Sequence, residues 1–218
     1  MNKILLLLTA LPVFPLTARA AVTQTFDFTG LNLAVPDGNP GGLANAQTVT
    51  STIIISVTSV TISLNIAGTF NGDLYAYVTN GSGFAVLLNR PGWDPALPAG
   101  YNDDGLAVTF ADSAANEIHT YRDIATPGTS VQLIGFWQPD GRNVDPDSVG
   151  IPSPRTAMLS SFAGAAASSG WTLFVADVSG DDTHTLQSWN LSITGEVPEP
   201  PAAGLSALGL LAGLRRRR

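Results

Sequence analysis

The chain has 218 residues, 17 Asp and Glu against 10 Lys and Arg, a net charge of −7 and no cysteine. That length suits one domain with processing signals, and the missing thiols exclude a disulfide framework, a zinc ribbon, an iron–sulfur cluster and a cysteine nucleophile. With 44% hydrophobic and 12% charged residues, the chain is too apolar to be disordered.

At the N-terminus, Met1-Asn2-Lys3 supplies a positive charge, Ile4 to Leu16 is an apolar run, and Ala18-Arg19-Ala20 closes it with small residues. This is the pattern of a secretory signal peptide cleaved after Ala20, so that the mature chain starts near Ala21. Pro12 and Pro15 argue against reading the run as a core helix. Residues 21–49 then read as an N-terminal strand and linker, 50–195 as the folded domain and 196–218 as a separate tail.

Within the domain, Val60-Thr61-Ile62-Ser63-Leu64-Asn65-Ile66 alternates apolar and polar without exception. A strand with that period buries Val60, Ile62, Leu64 and Ile66 on one face. Similar runs cover residues 52–57, 74–78, 84–88, 106–110, 131–136, 171–178 and 189–193. Between them stand turn pairs such as Asn71-Gly72, Asn80-Gly81, Asp104-Gly105, Asp140-Gly141 and Gly180-Asp181. Many short strands separated by glycine-rich turns predict an all-β protein, a sandwich or jelly roll. The alanine-rich stretch 158–169 predicts at most a short helical turn. Trp171 and Trp189 fall on strands and are expected in the core, whereas Trp93 and Trp137 fall beside prolines in loops, where they either pack or stack on a ligand. Residues 91–105 and 138–154 are too long for hairpin loops, a length associated with function or mobility.

From Ala21 to Gly195 the chain carries 15 Asp and Glu, four Arg and no lysine, a net charge of −11. Such a body repels phosphate backbones, so no nucleic-acid partner is expected, while cations are attracted. Solubility is the simpler use of the same charge.

The acidic turns suggest calcium, which takes six to eight oxygen ligands. Asn102-Asp103-Asp104-Gly105 followed by Asp112 places three carboxylates around one short strand, and Asp73 would complete a set; Asp181-Asp182 is a second candidate. The alternative is that these aspartates cap backbone amides in turns. None of them has EF-hand spacing, and with no cysteine and two isolated histidines zinc is not expected. His119 and His184 read as surface residues of acidic loops, without the serine motif that a hydrolytic triad needs. No catalytic residue is therefore assigned.

The tail has three parts: Val197-Pro198-Glu199-Pro200-Pro201, an apolar run from Ala202 to Leu214, and Arg215 to Arg218. Prolines keep the first part extended. The run of 13 residues (202–214) is short of the roughly 20 needed to span a bilayer firmly. The arginines would stay on the cytoplasmic side, giving transient membrane contact with the domain outside.

Two resemblances follow from these motifs. Residues 197–218, with Pro198-Glu199-Pro200, the apolar run and the arginine tetrad in order, resemble the PEP-CTERM sorting signal of Gram-negative bacteria. The resemblance implies cutting by a membrane-embedded exosortase and delivery to the cell surface or extracellular matrix. The block from Val60 to Leu74 with its Gly72-Asp73-Leu74 turn, then Gly81-Ser82-Gly83 and Val86-Leu87-Leu88, resembles the first half of the proprotein convertase P domain (Homo B domain). Phe162-Ala163-Gly164, Gly170-Trp171-Thr172-Leu173 and Ser188-Trp189 resemble its closing half. The resemblance implies a jelly-roll β-sandwich over about residues 50–195, with acidic residues at the places of Asp103, Asp104 and Asp112. That family is best known joined to a subtilisin-like protease domain, which this sequence lacks. The expectation is an exported, non-catalytic surface or matrix protein that uses a P-like sandwich for adhesion, binding or stabilisation. Its partners would be an exosortase-type enzyme and an extracellular polysaccharide or surface protein. The alternative is an accessory P domain that serves a separately encoded subtilisin-like serine protease.

Overall fold

The computed structural model describes residues 20–127 and 130–197. The sorting motif Pro198-Glu199-Pro200, the arginine tetrad and all of the signal segment before Ala20 lie outside the described residues. Ala20 and Ala21 lie at the start of β1 (Ala21–Phe28), which pairs antiparallel with the last strand.

The strands that follow are β2 (Leu33–Val35), β3 (Asn39–Val49), β4 (Ser56–Gly68), β5 (Leu74–Thr79), β6 (Phe84–Asn89), β7 (Leu106–Phe110), β8 (Leu133–Trp137), β9 (Ser169–Asp177) and β10 (His184–Glu196). They form two sheets, one ordered β1-β10-β4-β7-β8 with β2 also on β10, the other ordered β3-β9-β5-β6. Pairing is antiparallel except between β7 and β8. The protein is an all-β sandwich, as the alternation predicts.

The expected inward set of β4, Val60, Ile62, Leu64 and Ile66, is buried. It faces a core completed by Leu74, Ala76 and Val78 of β5, Trp171, Leu173 and Val175 of β9, and Leu186, Trp189 and Leu191 of β10. Each large apolar side chain so buried contributes about 1.5–3 kcal/mol. Leu186 and Trp189 both point inward, although three positions apart, because a register shift between Leu186 and Ser188 inserts one extra residue.

Three expectations change. The stretch 21–49 is more than a strand and linker, since β1 and β2 pair with β10 and β3 pairs with β9, so both sheets depend on it. Residues 52–55 are not strand: Ile54 is buried but Ile53 and Ile55 are exposed, and Ser51 Oγ accepts the Ile54 N–H at 2.9 Å. Trp137 ends β8 in the core instead of lying in a loop. The predicted helical turn is a 3-10 turn over Leu159–Phe162. Of the two long loops, residues 139–157 lie along the outer edge of β6, where Val86 donates to Ala157 and accepts from Gly141.

Candidate functional site

The four aspartates singled out as calcium ligands go to different partners. Asp103 is buried and accepts from the Tyr121 hydroxyl at 2.6 Å and from Arg122 Nε at 2.7 Å. Burial, and then the bond to Asp103, raise the Tyr121 pKa. Asp104 accepts the Ser130 N–H. Asp112 lies beyond the far end of β7, where its two oxygens accept the N–H groups of Leu159 at 3.0 Å and Ser160 at 2.7 Å, capping the 3-10 turn. Asp73 is buried at the start of β5, with Arg90 Nη2 3.7 Å away. Burial first, and then the neighbouring Asp177, push its pKa up to about 7 against a pull from Arg90. The four carboxylates thus each have their own partners in the fold. Among the described residues no three acidic or histidine side chains stand together as a metal cage.

The histidines correct the expectation of surface residues. His119 and His184 are both buried, each with Nδ1 2.8 Å from an aspartate oxygen, Asp140 and Asp177 respectively. The other nitrogen of His119 lies 3.1 Å from the Trp93 carbonyl, so both ring nitrogens face acceptors inside the protein. Asp140 also accepts from Arg142, and Arg142 donates to Glu117, which Arg155 approaches to 3.0 Å. This partly buried polar network joins the loops after β6, β7 and β8. His119, turned onto a backbone carbonyl, has no free nitrogen with which to activate a nucleophile, whereas His184 Nε2 is buried without a hydrogen-bond partner.

The outward faces of the two sheets differ. On the smaller sheet Tyr75, Tyr77, Phe84 and Phe174 form a row of rings, with Tyr77 and Phe174 stacked at 4.8 Å and Tyr77 and Phe84 5.0 Å apart. These rings spend their faces on one another, the usual cross-strand stabilisation. On the larger sheet most outward positions of four strands are hydroxyls and amides: Thr23 and Thr25 on β1, Ser188, Asn190, Ser192 and Thr194 on β10, Thr61, Ser63 and Asn65 on β4, and Thr109 on β7. Paired hydroxyls bridge the strands at 2.7–2.8 Å, Thr23 to Thr194, Thr25 to Ser192 and Ser63 to Thr109.

In the middle of this face lies an open cleft of about 210 Å³ walled by Thr29, Ser63, Asn65, Thr109, Ser188 and Asn190, where the small side chain of Ala107 leaves a dip. Among the described residues, the side chains of Thr29, Ser188 and Asn190 make no hydrogen bond to the protein. On the adjoining strand, Phe136 stands in register with Thr109 and Ile134 with Ala107, 74% and 70% exposed. Among the described residues, the carboxylate paired across from the cleft is Asp27 on β1, opposite Asn190. Sequence reading finds the strands but passes over this site. The available signal was the outward set of β4 and β10, which is Ser, Thr and Asn where an ordinary solvent face carries Lys and Glu.

No family model matches the chain, and no curated protein matches it. Among solved structures the chain has a distant likeness to a serine protease of Aeromonas sobria, with TM-score 0.42 and 15% identity over 84% of this chain. It has a similar likeness to a chain from the complex of that protease with its chaperone, with TM-score 0.40 and 14% identity over 85% of this chain. In each comparison the chain spans 28% of the other's length.

Proposed function

We propose that this chain is an exported, non-catalytic surface or extracellular-matrix protein whose β-sandwich, a jelly roll of the P-domain type, is a binding module. The observation that carries the reading is where free hydrogen-bonding capacity lies. His119, Asp103 and Asp112, groups with which chemistry could be done, are committed to internal partners. Among the described residues, Thr29, Ser188 and Asn190 on the open face of the larger sheet keep side chains without a protein partner, whereas polar atoms left without one elsewhere, such as His184 Nε2 and Asn71 Oδ1, are buried. The signal-like segment ending at Ala20 and the Pro198-Glu199-Pro200 tail support export and sorting by an exosortase-type enzyme. The P-domain motifs between Val60 and Trp189 support the finer fold assignment.

The test is the mass and location of the protein from cell-surface and medium fractions. The expected product starts near Ala21, ends near Pro198 to Pro200 and sits in the surface fraction. Deleting residues 197–218 should shift it away from the surface without unfolding the domain. A protein recovered inside the cell with both ends intact would contradict the proposal.

A further inference from the structure

The geometry points to the cleft on the larger sheet as a site for a neutral polysaccharide, with Phe136 as the stacking platform; this rests on the binding-module reading above and names its ligand. Three observations carry it. First, the chemistry of the walls suits a ligand that is itself rich in hydroxyls. Asn190 offers both a donor and an acceptor, Thr29 and Ser188 offer hydroxyls that can turn either way, and none of the three is engaged by the protein among the described residues. Asp27 adds an acceptor beside Asn190.

Second, Phe136 is exposed in a way the other strand aromatics are not. Trp171 and Trp189 are core residues, and Tyr77, Phe84 and Phe174 cover one another. Phe136 stands 74% exposed beside Thr109, one of the residues that wall the cleft. A flat ring with a negative face accepts the polarised C–H groups of a sugar ring, whose own hydroxyls project sideways to polar walls. Third, the charge matches an uncharged ligand. No basic residue occupies an outward position in the core of this face, and the body around it has a net charge of −11. An anionic polymer would find repulsion without a counter-charge.

The test is affinity electrophoresis of the full-length chain through gels containing hydroxyethyl cellulose, galactomannan or dextran as neutral probes and alginate as the anionic one. At least one neutral probe should retard the wild-type protein, and alginate should not. Phe136→Ala should weaken that retardation about tenfold, the scale of one lost stacking contact, and Asn190→Ala should weaken it too. Both variants should keep the wild-type melting temperature, since neither residue belongs to the core. Retardation unchanged in Phe136→Ala, retardation by alginate alone, or none by any neutral probe would overturn the assignment. So would a wild-type dimer that Phe136→Ala converts to monomer, which would make a second copy the occupant. Binding to material from the producing cells separates the two levels. If wild type and Phe136→Ala both bind it equally, the module reading stands and the cleft is wrong; if neither binds, the module reading fails as well.

Discussion

Asp73 shows how position turns an ordinary turn residue into a titrating one. Its carboxyl is buried beside Asp177, so the folded protein holds its proton up to about pH 7, whereas the free side chain releases it near 3.8. Because the folded pKa is the higher, the stabilising effect of this proton is whole below about 3.8 and is lost as the pH rises through 7. Asp73→Asn should therefore flatten the stability profile between those limits and raise the melting temperature at pH 8 by about 2–4 °C, with a smaller change at pH 5. Thermal unfolding at the two pH values checks this, and a variant that is less stable at pH 8 than at pH 5 relative to wild type would contradict it. The acidity of this end was legible in the sequence, but the partners were not. His184 and Asp177 flank one acidic loop, yet His119 meets Asp140 only because the loops after β6, β7 and β8 converge. Alternation placed Trp171 and Trp189 correctly because a strand's period fixes which face a side chain takes.

Among the elements, β4 was readable because its thirteen residues (56–68) sit in the middle of a sheet with one face fully buried. The strand β3 was not, since Pro40, Gly41 and Gly42 interrupt its start, where a register shift between Asn39 and Leu43 absorbs them. It survives as an edge strand, where a missing N–H matters least. The loops show a comparable dependence on glycine. Gly92 and Gly105 have φ of +78° and +71°, and a side chain at either would run into the Tyr101 ring or the Ile66 carbonyl. The 3-10 turn at Leu159–Phe162 depends instead on Asp112, whose carboxylate takes two of its N–H groups. Asp112→Ala should cost about 0.5–2 kcal/mol, the range of a lost cap, measured by urea unfolding. Added calcium should leave that cost unchanged, whereas a loss of stability that appears only with calcium present would return Asp112 to a metal-ligand role.

At the scale of the molecule, the two sheets divide the work. The smaller one closes its outer face with stacked rings and covers the β6 edge with the segment 139–157. The larger one leaves its outer face open, polar and almost free of charge on a body with a net charge of −11. The sandwich class was legible from strand spacing and turn residues alone. The site was not, because it is assembled from one or two positions on each of four strands and a loop distant in sequence, none of which forms a motif. The most direct test is to record backbone amide shifts while adding a neutral oligosaccharide taken from whichever polymer retards the protein. The account predicts saturable shifts confined to Thr29, Ser63, Asn65, Thr109, Phe136, Ser188 and Asn190. Shifts that cluster instead around Asp73 and Asp177, or on the Tyr77 and Phe174 face, would contradict it.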